Sequence, residues 1–289
     1  MDSNPYGLQG RWGWLLLTVG FFLLCLIVVL ILHFLKVHPW AHVTADRIAW
    51  YHHEQCENVD TSGFFLQVHN FWSNFGYLAA GLLILCLSDI ALGRAVGVVL
   101  IFLAFGSAWF HGTLTETGQT VDMAGVYAAL LAMSAYGFVE MTPLEYDSIA
   151  SWLIFSGAVV LGIVAGIIRL SVKFFSSDYF TPFLVFILAV YMITAIWRYP
   201  ERDHGPLLAP GLGALGSGLL AVLFKFSDGD DNFLLAQHGG NYAKCFYGHG
   251  SLIQGHAFWH VLSAVMFVCI FEYFRSLLER SRSAFPWRL

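Results

Sequence analysis

The sequence predicts an all-α integral membrane protein with eight transmembrane helices. Of its 289 residues, 58% are hydrophobic and only 11% are charged, whereas a soluble domain carries about 25% charged residues. The chain also contains eight apolar runs close to the roughly 20 residues that a helix needs to cross a bilayer. In lipid, the backbone N–H and C=O groups of a segment must form hydrogen bonds within that segment. These runs are therefore predicted to be helices.

Short polar breaks separate the eight predicted spans and leave no room for a large soluble module. The first run is longer than the apolar part of a secretory signal and ends without a small-residue cleavage site, so it is predicted to be retained. The spans lie near residues 13–36, 65–88, 94–114, 119–140, 148–170, 179–198, 207–227 and 252–276.

The distribution of charge predicts how the bundle lies in the membrane. With eight spans both termini share a side, and the basic tail RSLLERSRSAFPWRL favours a cytoplasmic C-terminus. The two longest loops then lie on the opposite side and carry Cys56 and Cys245. Disulfides persist on the non-cytoplasmic side, but the predicted topology alone is equally consistent with a Cys56–Cys245 disulfide and with two unrelated thiols. The net charge of −5 is modest and no basic patch is visible, so nucleic acid is not an expected partner.

The pentapeptide HAFWH places His256 and His260 four positions apart in an apolar run. Side chains at this spacing share one helix face, as do the two zinc ligands of the H-E-x-x-H motif, whose glutamate base is missing here. His38 and His42 have the same spacing in a predicted loop. The spacing therefore also fits a hydrogen-bonded pair without metal.

A second polar group lies at the same predicted depth. Ser107 and His111 are one helical turn apart near the end of the third span, and Asp122 lies just inside the fourth. Three imidazoles with an open fourth position form a typical catalytic zinc site. Zinc activates a water there, and a nearby carboxylate such as Asp122 can transfer its proton. A hydroxyl such as Ser107 can stabilise the developing oxyanion. Two other interpretations are that Asp122 caps its helix and that Ser107 bonds within its own helix.

With these motifs the sequence resembles the alkaline ceramidase family, membrane hydrolases of a superfamily that also contains the adiponectin receptors. The resemblance covers residues 51–277, and it therefore implies a ceramidase-like core of seven transmembrane helices to which the first, N-terminal transmembrane helix is an addition. It rests on G-S-x-W-F-H at 106–111, Asp122, Q-G-H-A-F-W-H at 254–260, Ser73-Asn74 and Cys56-Glu57.

The resemblance implies a zinc-dependent amidase that takes ceramide, or a related lipid amide, from the bilayer and releases a sphingoid base and a fatty acid. It implies zinc ligands at His111, His256 and His260. It also assigns proton transfer to Asp122 and polarisation of the carbonyl to Ser107. A Cys56–Cys245 disulfide is a further implication.

A calcium site is a weaker implication of the same resemblance. Oxygen ligands suited to calcium occur at Glu54, Glu57 and Asp60. Gln67 stands where the family has a helix glutamate, and it offers a carbonyl oxygen without charge. A solvated acidic loop is the alternative for this segment.

These inferences divide the chain into an N-terminal helix with an interfacial loop (1–50), a seven-helix catalytic domain (51–277) and a basic cytoplasmic tail (278–289). The active site is expected towards the non-cytoplasmic leaflet. Two other functions stay open: a receptor-like or regulatory membrane protein with a structural zinc site, and bis-histidine haem ligation. Nothing in the sequence indicates self-association.

Overall fold

The computed structural model describes residues 57, 59–169, 171–172, 175, 177–198, 205–227 and 254–284, together with isolated positions before residue 47. Within these stretches every regular element is an α-helix, which confirms the predicted all-α class. The helices are α1 (Val68–Ser73), α2 (Phe75–Leu87), α3 (Ala91–Thr113), α4 (Glu116–Met141), α5 (Ile149–Ile168), α6 (Ser177–Arg198), α7 (Gly205–Ser227) and α8 (Gly255–Ala284).

Seven of the predicted membrane spans are confirmed. Helices α1 and α2 together form one span, and α3 to α8 each contain another, long and apolar enough to cross a membrane. The chain is therefore an integral multi-pass membrane protein. The predicted first span, 13–36, lies outside the described residues apart from isolated positions.

Helix α4 is the most buried span and packs against α3, α5, α6 and α8. Glycines allow two of these neighbours to approach closely. A Cβ on Gly106 of α3 would lie 3.2 Å from the backbone oxygen of Val121, and one on Gly166 of α5 would lie 2.4 Å from the Cα of Ala124. The small residues thus hold α3 and α5 directly against α4.

The connection between α3 and α4 is short and tightly defined. Leu114 ends α3 in the left-handed region, with φ 50°, although its side chain is fully buried at 0% exposure. Thr115 then caps α4, because its side chain accepts a hydrogen bond from the N–H of Gly118. This turn brings the end of α3 beside the start of α4.

The last helix extends into the predicted tail. Helix α8 continues to Ala284, beyond the predicted end of the span at residue 276. The segment RSLLERSRSA contains no Gly or Pro, and Leu, Glu and Arg favour helix. Arg275 also pairs with Glu272, three residues earlier, at 2.7 Å. The boundary of the tail, like the division into domains and the orientation in the membrane, stays a prediction.

Candidate metal centre

Three histidines from two helices converge in the bundle. His111 lies on the last turn of α3, while His256 and His260 lie on the first two turns of α8. The ring centroids are 5.0 Å apart for His111 and His256, 4.9 Å for His111 and His260, and 4.7 Å for His256 and His260. One ligand atom from each ring lies within 4.8 Å of the other two. The arrangement can therefore hold a single metal ion.

His111 is oriented by the residue that precedes α1. Its Nδ1 lies 2.7 Å from Oε1 of Gln67, and the backbone N–H of Gln67 donates to the carbonyl of His111 at 3.0 Å. An amide oxygen only accepts, so the proton of the ring sits on Nδ1. The buried Nε2 then carries a lone pair, and it has no hydrogen-bond partner in the described structure. An orphaned buried nitrogen beside two other imidazoles fits a metal ligand.

His260 is oriented by α1 itself. Its Nδ1 lies 2.7 Å from the hydroxyl of Ser73, which donates to the carbonyl of Asn70 at 2.9 Å. Because the hydroxyl proton is used on Asn70, the Ser73 oxygen accepts from Nδ1–H, and Nε2 of His260 is left for a metal. Outer hydrogen bonds of this kind fix the tautomer and direction of metal-binding histidines.

Asp122 and Ser107 lie on neighbouring helices, and Ser107 is one turn before His111 on α3. Both are buried, with exposures of 8% and 1%, and the Ser107 side chain hydrogen-bonds to the Asp122 carboxylate. The capping interpretation of Asp122 is wrong, because α4 begins at Glu116 with Thr115 as its cap. Ser107 bonds across to α4, which favours a role at the site over a bond confined to its own helix.

Two of the predicted calcium ligands, Glu57 and Asp60, accept hydrogen bonds from the backbone. Glu57 accepts hydrogen bonds from the backbone N–H groups of His69 and Asn70, and so it caps the start of α1. Asp60 accepts from the N–H groups of Ser62 and Gly63, at 2.9 and 3.0 Å.

Burial raises the pKa of the Glu57 carboxyl, while the hydrogen bonds from Asn70 and His69 act in the opposite direction. Gln67 holds His111, as described above. Glu54 lies outside the described residues, as do Cys56 and Cys245. Calcium binding and the disulfide therefore stay predictions.

Sequence reasoning missed the supporting roles of Gln67, Asn70 and Ser73. A signal for them exists, because Gln67, Asn70 and Asn74 recur at helical spacing within an apolar span. Polar groups placed along one helix face inside a membrane have to meet polar partners. Gln67 meets His111 in this way, while Asn74 donates to the backbone carbonyl of Asn70.

The fold and the site define a class: an integral membrane protein with a buried three-histidine centre and an adjacent carboxylate. The comparison with protein families gives the particular family. The ceramidase family model matches residues 52–289, and the chain belongs to this family. Membership implies a hydrolase that cleaves the amide bond of a lipid such as ceramide. A search of curated proteins gave no match.

Proposed function

We propose that this protein is a zinc-dependent intramembrane amidase that hydrolyses ceramide, or a related lipid amide, to a sphingoid base and a fatty acid. The observation that carries the proposal is the convergence of three imidazoles within 4.8 Å, one with a buried nitrogen that has no partner in the described structure. Three converging rings also exceed the two axial positions of a haem iron. Neutral imidazoles suit zinc, and three of them leave an open coordination position.

His111, His256 and His260 are the residues that would hold the metal. A zinc ion bound there supplies a Lewis acid that polarises the amide carbonyl and makes water a stronger nucleophile at neutral pH. Gln67 and Ser73 keep the bare nitrogens of His111 and His260 directed at the centre.

Asp122 moves the proton. Hydrolysis adds water across the C–N bond, so one proton of the water has to reach the leaving nitrogen. The Asp122 carboxylate takes that proton and delivers it to the amine. Ser107 donates to the carboxylate and so orients it. Its role in polarising the carbonyl stays a prediction, because the same hydroxyl proton serves one acceptor at a time.

Metal analysis and a lipid amide hydrolysis assay on detergent-purified protein test the proposal together. The wild type should contain about one zinc per chain and release sphingoid base from ceramide. His260→Ala should lose the metal. Asp122→Ala should keep the metal and lose hydrolysis by at least about 100-fold, because it removes only the proton-transfer group.

Two results would contradict these roles: full zinc content in His260→Ala, or normal turnover in Asp122→Ala. Zinc without turnover in the wild type would instead favour the receptor-like alternative, in which the metal is structural. Ser134→Ala is a matched control, because Ser134 is buried on α4 and, among the described residues, bonds only to the carbonyl of Leu130 on its own helix. It should keep both zinc and activity.

A further inference from the structure

Arg169 is a half-buried cation that the proposed reaction does not use. It follows the last residue of α5, a position from which a long cationic side chain can reach out to the membrane surface. The structure differs, because Nε and Nη2 of its guanidinium are buried and have no hydrogen-bond partner in the part of the chain that is described. Leaving charged donors unsatisfied in this way is costly. The two donors therefore point to a ligand.

The two donors form one edge of the guanidinium. Nε–H and an Nη2–H run parallel, so this edge matches the two oxygens of a carboxylate or a phosphate. Arg275 shows the same use within this protein, because its Nε and Nη2 donate to the Glu272 carboxylate at 3.1 and 2.7 Å. In Arg169 the corresponding edge has no protein acceptor among the described residues.

Arg169 lies on the Asp122 side of the metal centre. The close packing of Gly166 on Ala124 puts the end of α5 near the first turns of α4. The charge of Arg169 acts on Asp122.

A second cation comes from α7. Lys225 lies over the ring of Trp259, the residue before His260 on α8, at 5.1 Å.

We infer that the Nε–Nη2 edge of Arg169 is an oxyanion subsite beside Asp122, and that it takes a carboxylate or phosphate group of the lipid substrate or product. The inference rests on the proposed function for the identity of the lipid. Two sources of the oxyanion share this chemistry. One is the carboxylate of the released fatty acid, and the other is an anionic headgroup on the amine portion of the lipid amide.

Equilibrium binding to the purified holoprotein in detergent tests the subsite without relying on turnover. The probes are oleate, as the fatty-acid product, and a non-hydrolysable ether analogue of a lipid amide that carries a phosphate on its headgroup. Arg169→Gln should weaken binding of at least one probe by about 10- to 100-fold, the loss expected for a bidentate hydrogen bond to a charged group. Arg169→Lys should bind more weakly than wild type but better than Arg169→Gln, because it keeps the charge and loses the paired donors.

The two probes separate the sources. A loss confined to oleate assigns the subsite to the product, and a loss confined to the phosphorylated analogue assigns it to a substrate headgroup. Arg275→Gln is the matched control. It should bind both probes like wild type, because the guanidinium edge of Arg275 already binds the Glu272 carboxylate. Unchanged binding of both probes in Arg169→Gln overturns the inference, whether or not its melting temperature falls. Failure of the proposed hydrolysis would appear separately, as absence of turnover in a protein that still binds the probes.

Discussion

Replacing Gln67 by leucine should weaken metal binding, although Gln67 is not itself a predicted zinc ligand. Its side chain is fully buried, at 0% exposure, and its Oε1 is the acceptor for Nδ1 of His111 at 2.7 Å. Leucine has a similar size but cannot accept. The substitution therefore leaves a buried N–H without a partner and removes the contact that directs Nε2 at the centre.

The expected size of the effect follows from two independent considerations. A buried donor that loses its partner costs about 1–3 kcal/mol. Loss of an outer hydrogen bond to a metal ligand typically lowers metal affinity by about 10- to 100-fold, which corresponds to about 1.4–2.8 kcal/mol. The two ranges agree. Gln67→Glu should retain most of the affinity, because a carboxylate still accepts from Nδ1–H.

Competition between the purified protein and a zinc chelator of known affinity measures the effect directly. A melting curve of each metal-free variant separates loss of affinity from loss of fold. Gln119→Leu makes the same chemical change at a half-buried position on the first turn of α4 and should bind zinc like wild type. If Gln67→Leu also binds zinc like wild type, the orientation of His111 by Gln67 is not important for the metal, and the reasoning fails.

Two further substitutions test the packing and the electrostatics around the site. Gly106→Ala should lower stability by about 1–3 kcal/mol and reduce hydrolysis, because its Cβ would lie 3.0 Å from Cγ1 of Val121 and push Ser107 away from Asp122. Thermal melting and the hydrolysis assay check this, with Gly157→Ala, whose Cβ would meet nothing within 4 Å, as a control that should not destabilise. The melting temperature of Glu57→Gln, relative to that of the wild type, should increase as the pH rises. Burial raises the pKa of the Glu57 carboxyl in the folded protein. The wild type therefore keeps the full stabilisation from the protonated carboxyl below the pKa of the unfolded state, and it loses this stabilisation as the pH rises through the pKa of the folded state.

Each of these has a result that would contradict it. Equal melting temperatures for the Gly106 and Gly157 variants would mean that α3 and α4 can separate without cost. A difference in melting temperature between Glu57→Gln and wild type that stays constant from about pH 4 to about pH 8 would mean that folding does not perturb this carboxyl.

The apolar runs predicted seven spans within a few residues, because crossing a bilayer imposes a length that can be read along the chain. The boundaries were less well determined. Asp122 follows a polar break and therefore resembled a helix cap, but Thr115 starts α4 more than one turn earlier. The polar residues between them continue the helix. Which residue caps a helix depends on local backbone geometry, and composition does not specify that geometry.

The pairing of His256 with His260 is local and was predicted from spacing alone. Gln67 and His111 are 44 positions apart, and Ser73 and His260 are 187 apart. No sequence pattern joins residues at these separations, because their contact depends on how α1, α3 and α8 pack. Arg169 shows the same limit, since its place in the sequence does not reveal that two of its nitrogens are buried.

The sequence by itself determined the membrane class, the seven spans and the residue types of the metal centre, because hydropathy and helical spacing are properties of short segments. Only the tertiary structure decided which nitrogen of His111 and of His260 faces the centre, which hydroxyl holds Asp122, and where an additional cation lies. The reason is physical: hydrogen bonds and charge interactions act between atoms a few ångströms apart, and helices distant in the chain supply those atoms.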